Sequence, residues 1–131
     1  MIQLMTRGAC LALVMGVLTS VAEAQTDGDN TTVFMRAKLA RAQGIIESLS
    51  LADFDSLRNH AAQLKTLSLD SGWKVLQTVE YAWYSAEFRR TTDQLVEAAD
   101  EENLDAAVLA YFRLTQSCVG CHRHVCDEQS P

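Results

Sequence analysis

Proline is almost absent from this chain: the only one, Pro131, is the last of 131 residues, so no proline interrupts a helix anywhere in the body of the protein. Runs of alternating apolar and polar residues, the mark of strands, are missing as well. The apolar run Gly8 to Leu18 is too short and too early for a convincing membrane span. There is no P-loop, no dinucleotide glycine pattern and no nucleophile paired with a base, which removes the common catalytic constellations and leaves no enzyme reading. Positive charge is scarce too. Eleven Lys and Arg stand against 17 Asp and Glu, a formal charge of −6. That balance disfavours nucleic acid or an anionic membrane surface as a partner and favours a docking protein with a basic face.

The N-terminal apolar run follows Arg7 and is followed by Thr19, Ser20 and the small-residue pattern Ala22-Glu23-Ala24. This order of features reads as a secretory signal, residues 1–24, cleaved after Ala24. Cleavage removes one basic residue, Arg7, and one acidic residue, Glu23, so the charge stays at −6 and the exported product is acidic and soluble. It also removes Cys10. Residues 25–131 then form one domain, large enough for a single core, with three cysteines that cannot all be used by internal disulfides.

Hydrophobic spacing divides that domain into four helical segments. Met35, Leu39, Ala42, Ile46 and Leu49 recur at steps of four and three and predict a helix over roughly Thr32 to Ser50. Phe54, Leu57, Ala61, Leu64 and Leu67 mark a second, with Asp53 as N-cap, and the short turn between them predicts a helical hairpin. The third runs from about Thr78 to Ala99 on Tyr81, Ser85, Phe88, Thr92, Leu95 and Ala99, after an irregular connection whose Trp73 closes one end of the core. The acidic connector Asp100 to Asn103 leads to a fourth, carrying Leu104, Ala107, Val108, Tyr111, Leu114, Cys118, Cys121 and Val125. The fold class expected is all-α.

The fourth segment holds the most informative feature, Cys118-Val119-Gly120-Cys121-His122. C-x-x-C-H is the spacing at which two thiols add to the two vinyl groups of one haem while the adjacent imidazole reaches the iron. On a helix, Cys118 and Cys121 project from the same side, and His122, four residues after Cys118, is adjacent to both.

Four amphipathic helices with C-x-x-C-H near the end of the last one resemble the class II cytochromes c, the cytochrome c-prime fold. The resemblance covers roughly Val33 to Cys126. It implies an antiparallel four-helix bundle enclosing one covalently attached haem c, with Cys118 and Cys121 as anchors and His122 as proximal iron ligand. Laying Gly44-Ile45 and Leu49 on the family's first helix puts Met35 at the distal position. His122/Met35 ligation implies a low-spin iron with a raised reduction potential, suited to one-electron transfer with a redox partner protein. The alternative is a five-coordinate haem protein that binds nitric oxide or carbon monoxide, with Met35 packing over an open iron face. The resemblance and the signal together imply the periplasm. Members of this fold often pair through their first two helices, and Phe34 and Ile45 are the residues that would contribute to such a homodimer here.

Two positions depart from the family pattern. Val125 and Cys126 stand where an aromatic and a cation often follow the axial histidine, and Thr31 stands where relatives often place an arginine toward a haem propionate. Arg36, Lys38 and Arg123 are the candidate substitutes. Other chemistry is weaker. His60 lies off the stripe of its helix and reads as a boundary residue, and His124 points away from His122. Cys118, Cys121, His122 and Cys126 could be counted as a zinc set, but their crowding on one helix is unlike the separated pairs of structural zinc sites. A thiol-redox role for Cys118 and Cys121 would need the motif at a helix N-terminus beside a sheet. A helical interaction module without haem would be colourless. Among the aromatics, Tyr81 and Tyr111 have the phase to face inward, and Tyr84 and Phe112 are the candidates for an exposed patch.

Overall fold

The computed structural model describes residues 20–70, 73 and 75–130, with side chains from residue 30 onward. These residues form four α-helices and no strand, as in a helical bundle: α1 Ser20–Leu51, α2 Phe54–Leu67, α3 Val79–Asp100 and α4 Leu104–Gln129. Residues 1–19 of the segment expected to be a secretory signal lie outside the described residues, and Ala22 to Ala24 fall in the first turns of α1. Among the described residues no helix is long and apolar enough to cross a membrane. The chain divides into two units, one ending at Met35 and one running from Arg36 to Pro131, and the packing described below belongs to the second.

The helix boundaries follow from capping chemistry. The Asp53 carboxylate accepts from the Ser56 amide at 3.0 Å, and hydrogen bonding from the Ser56 side chain and then its amide holds its pKa below the ordinary carboxylate range. Thr78 accepts from the Tyr81 amide at 3.1 Å and Asn103 from the Ala106 amide at 3.0 Å. The two tight turns are built alike. Ala52 and Glu102 both adopt positive φ, at 52° and 51°. In each turn the next residue's amide reaches back into the preceding helix, Asp53 to the Ser48 carbonyl at 2.9 Å and Asn103 to the Ala98 carbonyl at 2.8 Å. This is the Schellman arrangement, made here without glycine. One residue therefore closes a helix and its successor opens the next.

On α3 the expected stripe is the observed one: Tyr81, Ser85, Phe88, Leu95 and Ala99 are buried, with Thr91 and Thr92 beside them. Those two buried hydroxyls are satisfied by the carbonyls of Glu87 and Arg89. α2 contributes Leu57, Ala61 and Leu64, also as expected. Two lines differ. On α1 the inward line is Ile45, Ser48 and Leu49, whereas Leu39 and Ile46 are 58% and 46% exposed. The apolar spacing missed this face because it includes Lys38 and Ser48, and Ser48 can be buried because its hydroxyl bonds the Gly44 carbonyl at 2.8 Å. On α4 the inward line is Ala107, Ala110, Leu114 and Ser117, while Leu104 and Val108 face outward. Ile45 has no exposed surface, so it cannot contribute to a dimer face as expected.

Glycine at 44 has a packing reason. A β-carbon there would lie 2.5 Å from His60 Nε2, so α1 and the imidazole of α2 approach more closely than an alanine permits. His60 is half-buried, and its Nδ1 has no hydrogen-bond partner. Gly44→Ala is expected to lower stability. Overpacking of about 1–3 kcal/mol outweighs the roughly 1 kcal/mol that alanine gains in helix propensity. In a His60→Ala background the same change should become stabilising, which thermal unfolding of the four proteins would show as a reversal of sign.

Candidate functional site

Three of the four residues singled out from the sequence come together on α4, well inside the helix and far from its N-terminus. Cys118 and Cys121 are half-buried and free of any disulfide. Burial pushes both thiols up from their ordinary pKa, against the attraction of the Lys38 ammonium. Both therefore stay neutral at pH 7. An activated redox thiol needs the opposite shift and the opposite helix end, so the setting does not favour thioredoxin-type chemistry. His122 is exposed and has no hydrogen-bond partner among the described residues. Met35 is half-buried on α1, the last residue of the first unit. Cys126 is exposed. Among the described residues no three or more His, Cys, Asp or Glu side chains are grouped to hold a metal ion, so the Cys/His set does not converge as a zinc site would.

Aromatic side chains from the connection and from α3 pack on one another beside Lys38. Trp73 is buried, with its ring centroid 4.7 Å from that of Phe88, and its indole N–H donates to Ser85 Oγ at 2.8 Å. The Tyr81 hydroxyl donates to the Trp73 carbonyl, which fixes the connection against α3. Burial raises the pKa of Tyr81 and of Tyr111, and the charges of Cys121 and Cys118 respectively add to it, so each phenol is near one of the thiols. Beside Trp73 a cavity of about 420 Å³ opens between the connection and α3, lined by Leu76, Thr78, Tyr81, Ser85 and Arg89 among others.

Between the two cysteines Gly120 serves close approach. A β-carbon at this position would lie 2.8 Å from the Tyr84 ring, so α3 packs directly on the backbone of the motif. Tyr84 is thus half-buried against Gly120 and near the His124 ring, 6.0 Å between centroids, and is not the exposed residue expected. Phe112 is 61% exposed, as expected. His124 has its Nε2 2.9 Å from the Thr78 hydroxyl and ties the end of α4 to the start of α3.

The residue that sequence reasoning underrated is Lys38. Its ammonium lies 3.5 Å from the centroid of the Trp73 ring and 5.3 Å from that of Phe88, and it is the cation felt by both Cys118 and Cys121. Desolvation lowers its pKa from 10.5 to about 8, although the aromatic faces, and either cysteine once ionised, favour the charged form. No carboxylate of the described residues pairs with it; the ion pairs are Arg58 with Asp55 and Asp100, Lys65 with Asp93, and Arg90 with Glu87. The available signal was position: Lys38 is seven residues before the buried Ile45, two helical turns along the same face.

A buried base with a lowered pKa costs stability while it is charged. Between pH 8 and 10.5 the unfolded chain binds more protons than the folded one, so this cost is relieved as pH rises. Lys38→Met should therefore stabilise the chain. The gain should be largest below pH 8, shrink up to pH 10.5 and then level off, as followed by denaturant unfolding across that range.

Comparison of the chain with protein-family models, with curated proteins and with solved structures finds no match.

Proposed function

We propose that this protein is an exported c-type cytochrome that carries one electron, built as an antiparallel four-helix bundle around a single haem c. The observation that carries this reading is the placement of Cys118 and Cys121. The two are unpaired, neutral thiols on one side of α4, near the Tyr81 and Tyr111 phenols and the Lys38 ammonium that rests on Trp73, with the unpartnered imidazole of His122 next in sequence. That donor set fits the group: two thiols for thioether bonds, one nitrogen for the iron and an apolar wall. The antiparallel arrangement is supported by ion pairs that join Arg58 to Asp100 and Lys65 to Asp93, so that ascending positions on α2 meet descending positions on α3.

When bound, haem supplies the one-electron couple. Cys118 and Cys121 hold it by thioether bonds that prevent its loss outside the cell. His122 donates a ring nitrogen to the iron. The aromatic wall excludes water, which keeps the potential from falling. Met35 is the distal donor, and it is the only methionine C-terminal to residue 24. The signal segment directs the chain to the periplasm, and the charge of −6 favours a redox partner with a basic docking face. Carbon monoxide distinguishes this reading from gas binding. The reduced wild type is expected to leave its visible spectrum unchanged on adding the gas, and Met35→Ala to shift at once. A wild type that shifts at once would make the protein a gas binder.

A further inference from the structure

None of the C-x-x-C-H residues lines the cavity beside Trp73. Among the described residues its wall comes from the connection between α2 and α3 and from α3 itself, all within the second unit. Its volume of about 420 Å³ lies in the range of small-molecule pockets, roughly 300–1,000 Å³. Trp73, Leu76 and Tyr81 give it an apolar side. The Tyr81 hydroxyl is already engaged, donating to the Trp73 carbonyl and accepting from the Val75 amide at 3.5 Å, so Tyr81 offers the cavity its ring.

Two donors in the same wall are unspent. Ser85 is buried, and its oxygen accepts from the Trp73 indole, but its hydroxyl donates to no described group. The hydroxyls of Thr91 and Thr92 on the same helix instead donate to carbonyls about one turn back. Arg89 also lines the cavity, four residues after Ser85 and so one turn further along the same face of α3. It is half-buried, and its guanidinium enters none of the ion pairs and hydrogen bonds of the described residues.

We propose that this cavity binds a small organic monocarboxylate, with the carboxylate held by Arg89 and Ser85 and the apolar body lying against Trp73, Leu76 and Tyr81. The donors decide the head group. Both unspent groups give hydrogen and accept none, and the planar fork of a guanidinium matches the two oxygens of a carboxylate. A single cation suits a single negative charge, and the chain's charge of −6 disfavours a more highly charged anion such as phosphate. The apolar side of the cavity accounts for the body, which acetate and phosphate lack. Because the site contains no residue of the C-x-x-C-H motif, it stands independently of the haem reading.

The test is isothermal titration calorimetry of the full-length purified protein with phenylpropionate, phenylpropionamide and inorganic phosphate, for wild type, Arg89→Met and Arg90→Met. Arg90 is exposed and paired with Glu87, so its removal controls for general charge. The expected result is saturable binding of one phenylpropionate per chain to wild type and to Arg90→Met. Arg89→Met should bind it about tenfold or more weakly, as loss of a charged hydrogen bond entails, and the wild type should discriminate against the amide by a similar factor. The comparison of acid with amide uses the wild type alone and so needs no variant to fold. Absence of saturable binding, equal affinity for the amide, or unchanged affinity in Arg89→Met would overturn the inference. Phosphate bound as tightly as phenylpropionate would overturn it too, since the apolar wall would then have no part in recognition.

Discussion

Replacing Cys118 and Cys121 together by serine is expected to abolish covalent haem attachment. In a host that attaches haem to exported proteins, the wild type should keep its colour and its haem stain through denaturing electrophoresis, and the double variant should lose essentially all of both. Serine is close in size to cysteine and each position is half-buried, so neither change should disturb the helix that carries them. Each single variant tests the spacing argument, since one remaining thiol can form only one thioether. His122→Ala should retain denaturation-resistant haem while losing the low-spin spectrum. Circular dichroism of the double variant then separates loss of haem from loss of fold, because four intact helices with no colour would locate the effect in the thiols.

Phe88→Ala should have the largest effect on stability. The Phe88 side chain is 4% exposed, lies on the inward line of α3, packs at a tilt against the Trp73 ring and contributes to the aromatic surface over which Lys38 lies. Truncating a buried phenylalanine costs about 3–5 kcal/mol through lost transfer energy and the cavity left behind. Here the loss also removes the ring against which the Trp73 indole packs. Phe88→Leu should cost clearly less, and Trp83→Ala, at a ring 61% exposed, should change stability by no more than about 0.5 kcal/mol. Denaturant midpoints of the three variants at one pH give the comparison. A Phe88→Ala loss no greater than that of Trp83→Ala would show that the aromatic wall is not packed as described.

How far the sequence could be read depended on whether a helix face was built from the expected residue types. The α3 stripe was legible because its inward positions are mostly large and apolar, and Ser85 has a reason to be there as the acceptor for Trp73. The cap at Asp53 was legible because short polar side chains at a helix start have few other roles. The face of α1 was misjudged because its inward line contains Lys38, Gly44 and Ser48, while two of its apolar residues, Leu39 and Ile46, point outward. On α4 the line was only partly read: Ala107 and Ala110 let the helix pack closely, and the larger Leu104 and Val108 are left outside. The two tight turns carry no glycine, although Ala52 and Glu102 adopt the conformation that glycine usually supplies.

The candidate site divides in the same way. The C-x-x-C-H spacing marks Cys118, Cys121 and His122 as candidate donors, and the structure adds that both thiols are half-buried and free of any disulfide. Lys38 could be weighed only as one of three cations for a propionate, because nothing in a linear pattern reports that an ammonium rests on Trp73, a residue of the connection. The contact between Gly120 and Tyr84 is equally invisible in sequence, since it joins the middle of the motif to a neighbouring helix.

The most direct test of the account is the intact mass and visible spectrum of the wild-type chain purified from the periplasm of a host that matures c-type cytochromes. The account predicts a chain beginning at Gln25, heavier than its sequence by one haem, with a red colour that survives denaturation and acid extraction. A colourless chain of unmodified mass, exported alongside a control cytochrome that is fully loaded, would contradict it.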